Sequence, residues 1–98
     1  MINALTGNTY TGTNYELLAG LGFAEGHRFC TFNQAMKLGI NPKAMKGIKK
    51  VATLKFCKEV EEADGKKILD VKFFNVFDYE DICKRQRAYE STIQSNVA

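Results

Sequence analysis

The strongest constraint on the fold lies between residues 51 and 77. From Val51 to Val60 the apolar Ala52, Leu54, Phe56 and Val60 recur at period two, with Thr53, Lys55 and Cys57 between them. Alternation of this kind marks a strand with two unlike faces. The turn Glu-Glu-Ala-Asp-Gly-Lys-Lys follows, and its Asp64-Gly65 pair is a strong hairpin signal. On the return, Leu69, Val71 and Phe73 alternate with Asp70 and Lys72. Phe74, Val76 and Phe77 then break the alternation, as expected where both faces of a strand become buried.

Helical signals flank the hairpin. Residues 2–12 are rich in Asn, Thr and Gly and read as a loop. Thr13 or Asn14 is positioned to cap a short helix whose Leu17, Leu18 and Leu21 share a face. Thr31 reads as an N-cap with Gln34 completing a capping box, and the helix it opens ends at Gly39. Asn41-Pro42 starts a turn or second short helix that stops at Gly47, and Asp78 caps a final helix from Tyr79. The tail from about residue 88 to 98 is polar and expected to fray. With 98 residues, no repeat and no linker, the chain predicts one small α+β domain with a core over about residues 3–84. Its parts are short N-terminal helices, an antiparallel hairpin and a C-terminal helix.

Several function classes lose support at this stage. No apolar run reaches the length of a membrane span, and the N-terminus lacks the basic start and apolar core of a secretory signal. Three cysteines without paired spacing argue against a disulfide framework and fit a cytoplasmic location. His27 is the sole histidine, so no zinc motif is present, and the sequence implies no cofactor. His27 and Cys30 stand three apart but have no third group to support them as a base and nucleophile, so no enzyme is expected.

The net charge of +3 hides an uneven distribution. Between Gly26 and Lys58 there are eight basic residues and no acidic one, whereas residues 59–98 carry nine acidic and six basic side chains. A dense cationic segment in an otherwise acidic chain points to an anionic partner, most often a nucleic acid backbone. Single-strand binding also needs flat side chains on which bases stack. Tyr10 and Tyr15 flank the glycine-rich loop, with Tyr10 the aromatic expected to be exposed. Phe29 and Phe32 are divided between stacking and core packing. Gly7 and Gly12 bring backbone amides close to phosphate, and Asn14 and Gln34 offer amide side chains.

The run N-A-L-T-G-N-T-Y-T-G-T-N from Asn3 to Asn14 resembles the opening of ArdC-type antirestriction proteins, N-P-x-T-G-x-x-Y-x-G-x-N. Phe29 to Gly39, F-C-T-F-N-Q-A-M-K-L-G, is similar to that family's W-x-T-F-x-Q-A-x-x-L-G element. Lys46-Gly47 and the stretch Phe73 to Ile82 match later elements in the same order. The resemblance covers residues 3–84 and implies an α+β single-stranded DNA-binding domain of plasmid or phage origin. In longer members a zinc metalloprotease-like domain follows. This sequence has no zincin motif, so it resembles the N-terminal domain alone. It departs from the pattern at Phe29 (Trp in the family), at Ala4 (Pro), and in Ile48-Lys49-Lys50 after the Lys-Gly pair.

The resulting expectation is a non-enzymatic protein that binds single-stranded DNA with little sequence preference, RNA being an open alternative. Lys43, Lys46, Lys49, Lys50 and Lys55, with Arg28, would capture phosphates. Tyr10 and Phe32 would stack, and Gly12, Asn14, Thr31 and Gln34 would fix the strand. The rival reading is a phage- or plasmid-encoded inhibitor that docks on a host defence protein such as a restriction or CRISPR nuclease. Neither reading involves a membrane, and oligomeric state is not legible.

Overall fold

The computed structural model describes the backbone of residues 1–97 and the side chains of residues 1–92. Its elements run β1 (Ile2–Asn3), α1 (Gly12–Gly20), β2 (Arg28–Cys30), α2 (Phe32–Lys37), a 3-10 turn (Pro42–Met45), β3 (Ala52–Glu61), β4 (Lys67–Asp78) and α3 (Tyr79–Val97). The strands form one mixed sheet in the order β1-β2-β4-β3, with β1 parallel to β2 and the other pairs antiparallel. The α+β class is as expected. Strands β1 and β2 go beyond it, because two or three residues are too few to show a period.

The β3–β4 ladder fixes everything else about the sheet. Its register pairs Ala52 with Val76 and Glu61 with Lys67, so even-numbered residues of both strands share one face and odd-numbered residues the other. The connecting loop bonds Gly65 N–H to Glu62 C=O and Glu62 N–H to Lys66 C=O, with Gly65 at φ +82°. That is a type I turn closed by a left-handed glycine, the usual three-residue hairpin.

At the base of the sheet both faces are covered. Ala52, Leu54 and Val76 on the even face join Met1, Tyr10, Leu18 and Phe29 in one core cluster. On the odd face Phe77 packs with Cys30, Ala35, Ile40, Met45 and Ile82, which brings α2, the 3-10 turn and α3 onto that side. Further along the hairpin neither face has a covering layer, and Phe56, Ile68, Leu69, Val71, Phe73 and Phe74 are all exposed.

Helix boundaries follow their capping chemistry. Thr31 accepts from Gln34 N–H at 3.2 Å while Gln34 Oε1 accepts from Thr31 N–H at 3.0 Å, a complete capping box. Gly39 follows the helix at φ +87°. Asp78 Oδ1 accepts from Glu80 N–H at 3.0 Å and opens α3. Helix α1 differs from expectation. It begins at Gly12 after Thr11, which makes no side-chain cap bond, and the Asn14 amide expected as a cap is bonded to the backbone of Lys55. Of its leucines only Leu18 is buried, and Leu17 and Leu21 are 44% and 53% exposed. The helix touches the sheet through a narrow strip rather than a broad face.

Helix α3 runs on through the region of the expected tail, from about residue 88, as far as Val97. Glu80 and Asp81 in its first turn complement the helix dipole. Arg85 to Asp81 and Gln86 to Glu90 are pairs four residues apart that support its exposed side. The last residue of that tail, Ala98, lies outside the described residues. Among the described residues no helix is long and apolar enough to cross a membrane.

Candidate nucleic-acid interface

The residues singled out in the sequence separate into two groups. In the first, the side chains are bonded inside the molecule. Asn3, in β1, donates from Nδ2 to Tyr10 Oη at 3.0 Å and to Gln34 Oε1 at 2.8 Å. Its Oδ1 accepts from Leu5 and Thr6 N–H. One buried amide thus ties the N-terminal loop, β1 and α2 together. Tyr10 is 8% exposed and packs edge-on against Phe29, so the expectation that its ring is exposed fails. Burial pushes its phenol above the ordinary value, a shift partly offset by the Asn3 bond. Phe29 is fully buried, which settles it as core.

Thr31 and Gln34 serve the capping box, as described above. Asn14 reaches across to the outer edge of β3. Its Nδ2 donates to Lys55 C=O at 3.0 Å and its Oδ1 accepts from Lys55 N–H at 3.1 Å, as a neighbouring strand would. Gly12, at φ +62°, starts α1 in open space, where its backbone conformation rather than crowding favours glycine.

The second group lies on the surface. Arg28 places its guanidinium 4.9 Å above the Tyr79 ring. Lys43, Lys46, Lys49, Lys50 and Lys55 are all exposed. The 3-10 turn that holds Lys43 packs on the odd-face side with α3, where Arg85 Nη1 donates to Lys46 C=O. From there the chain leads through Lys49 and Lys50 onto the odd face of the hairpin. Lys50 Nζ donates to Thr53 Oγ1 at 2.9 Å, and Thr53 Oγ1 donates to Asn75 Oδ1 at 2.8 Å. Two residues further on, Lys55 stands directly across from Phe73, whose side chain is 65% exposed. Cations, a hydroxyl–amide pair and a bare aromatic ring therefore share one open sheet surface.

Along β4 lies a cleft of about 570 Å³ whose lining takes in Phe32, Asn33, Phe56 and Phe74 together with Phe73 and Asn75. Phe56 and Phe74 meet edge-on at 5.6 Å between centroids. Phe32, 43% exposed at the start of α2, is thus kept as a surface aromatic and shares this cleft with Phe73 and Asn75.

Phe73, Asn75 and Thr53 are missing from the sequence-derived set. A signal for them exists. Counting back from the Asp64-Gly65 turn places Leu69, Val71, Phe73 and Asn75 across from Glu59, Cys57, Lys55 and Thr53, not across from Ala52, Leu54 and Phe56. The two apolar stripes fall on opposite faces, so a single covering layer leaves one of them exposed.

His27 and Cys30 have separate roles. His27 Nε2 lies 2.6 Å from Asp78 Oδ1, and its ring packs against Phe23 and Phe29. Cys30 is fully buried and burial pushes its thiol up to about 11, far from a reactive thiolate.

A comparison with curated proteins finds no match, and a comparison with solved structures finds none. A family model does match, over residues 1–92, and it describes the N-terminal domain of anti-restriction factor ArdC. Its span takes in the Asn3–Tyr10–Gln34 network, the hairpin and most of α3. The chain belongs to the family of ArdC N-terminal domains.

Proposed function

We propose that this chain binds single-stranded DNA with little sequence preference and shields it, as an anti-restriction domain of phage or plasmid origin acting in the cytoplasm without catalysis. The observation that carries this reading is Lys55 directly across from the exposed Phe73 on a sheet face that also bears Lys50, Thr53 and Asn75. Phosphates lie along the line of lysines from the 3-10 turn to Lys55, and a base stacks on Phe73. Thr53 and Asn75 offer hydrogen bonds to either sugar or base. Such a surface is tolerant of sequence because every base presents a flat face. Family membership supplies the anti-restriction context.

The test is fluorescence anisotropy with a labelled single strand of about 20 nucleotides at about 50 and 200 mM salt, with duplex as competitor. Neutralising about four phosphates gives a log–log salt slope near −3, at roughly 0.7 per phosphate. Salt-sensitive binding that duplex fails to displace is the expected result. No binding at low salt overturns the reading and turns attention to a protein partner.

A further inference from the structure

The hairpin has two outer edges, and they differ. On β3 the Asn14 amide bonds both backbone groups of Lys55, which shows that the odd-numbered residues of β3 direct their N–H and C=O away from β4. The alternation of an antiparallel ladder then makes Leu69, Val71, Phe73 and Asn75 direct theirs away from β3. Strand β2 pairs with that flank only at Phe77 and Asp78. Among the described residues no strand therefore lies beside the flank of β4 from Lys67 to Val76, although its side chains are rich in Leu, Val and Phe. A long unpaired edge of this kind is a template for another strand.

We infer that the occupant is a second copy of this chain, paired antiparallel through β4 about a two-fold axis at Val71. Charge and register both support that choice. With Val71 across from its own equivalent, Leu69 meets Phe73 and Ile68 meets Phe74 of the second copy. Asp70 meets Lys72, and Lys72 meets Asp70. Val71, Leu69 and Phe73 are the residues whose backbone groups face outward, so the same alignment joins N–H to C=O in hydrogen-bonded pairs. Lys67 of the second copy lies across from Asn75, so its strand begins just short of the position where β2 joins β4.

Other alignments lose this match. An axis at Leu69 sets Lys72 against Lys66, and an axis at Phe73 sets Asp70 against Val76 and Lys72 against Phe74. Self-pairing of β3 about Glu59 would place two glutamates face to face. Within one copy Asp70 has Lys72 at 3.8 Å and Lys58 directly across the ladder, and both remain available in the pair. The odd faces of the two copies end on the same side, so their Lys55–Phe73 surfaces adjoin across the axis.

The experiment is sedimentation equilibrium of the full chain without nucleic acid, over a concentration series from low micromolar to submillimolar, so it is independent of DNA binding. A monomer–dimer equilibrium is expected. Val71→Pro removes the N–H at the axis without touching the β3–β4 ladder, and should give a monomer with an unchanged circular dichroism spectrum. Lys72→Asp sets like charges opposite each other twice and should weaken pairing roughly tenfold. Combining it with Asp70→Lys restores opposite charges and should recover most of that loss. A monomer at every concentration overturns the inference, as does a dimer indifferent to Val71→Pro. If Val71→Pro fails to fold, the charge exchange decides alone, and failure of the double variant to recover affinity overturns this register.

Discussion

The two ends of the β3–β4 hairpin are built from the same pair of strands but have different surroundings. At the base, Leu54 and Val76 are buried against α1 and the N-terminal loop, and Phe77 is half-buried against α2 and α3. Towards the tip, residues of equal hydrophobicity have solvent on both sides. A two-stranded ribbon is marginal alone, so the base holds the tip in place and the tip is free to contact something else. Of the side chains that carry the family resemblance, Asn3, Tyr10, Asn14, Thr31 and Gln34 work at the base or seal its edge. Much of the recognisable motif is scaffold, and the surface chemistry draws on Phe73 and Asn75 from its later stretch and on Lys50, Thr53 and Lys55 outside it.

Substitutions at the two ends test that division. The largest effect is expected for Phe29→Ala, which empties the centre of the first core cluster and should cost about 3–5 kcal/mol in urea unfolding. Phe73→Ala should leave stability within about 0.5 kcal/mol but weaken single-strand binding by about 1–3 kcal/mol. A loss of stability as large as that of Phe29→Ala would mean that the tip is core after all. Gln34→Ala leaves Thr31 N–H and the Asn3 amide without their shared acceptor and should cost about 1–3 kcal/mol, with DNA affinity unchanged for the folded fraction.

A smaller and more specific effect is expected at the entrance to the ribbon. Lys49→Ala combined with Lys50→Ala should flatten the salt slope by about 1.4, and an unchanged slope would take both lysines off the phosphate path. The smallest effect is on pH. Burial raises Cys30 to about 11, so its contribution is complete below the thiol's unfolded pKa and is lost as pH rises toward about 11. The urea midpoint should hold near pH 7 and fall above about pH 9, and Cys30→Ala should reduce that fall.

The local signals were legible wherever a side chain bonds its own neighbourhood. Thr31 with Gln34, Gly39, Asp78 and Asp64-Gly65 each do in three dimensions what their spacing announces. The candidate site was less legible because exposure depends on what lies over a residue, which local sequence does not encode. Tyr10, in a polar loop, is covered because the loop folds back on β1 and Asn3 holds its hydroxyl. Phe73, in an apolar stripe, is bare because no helix extends that far along the ribbon. Asn14 does not act as the helix cap that its position suggests for a related reason, since its partner is 41 residues away. Charge alone marks the lysines, and their order along the 3-10 turn and β3 follows the chain itself.

The Asn14 amide also bears on how much this protein can assemble. A ribbon with two bare edges accepts a neighbour on each, and each neighbour presents a fresh edge, so growth is open-ended. Here one side chain takes the place of a strand at Lys55 on β3, whereas the flank of β4 carries no such cap. Asn14 thereby biases addition toward β4 and against growth from both edges.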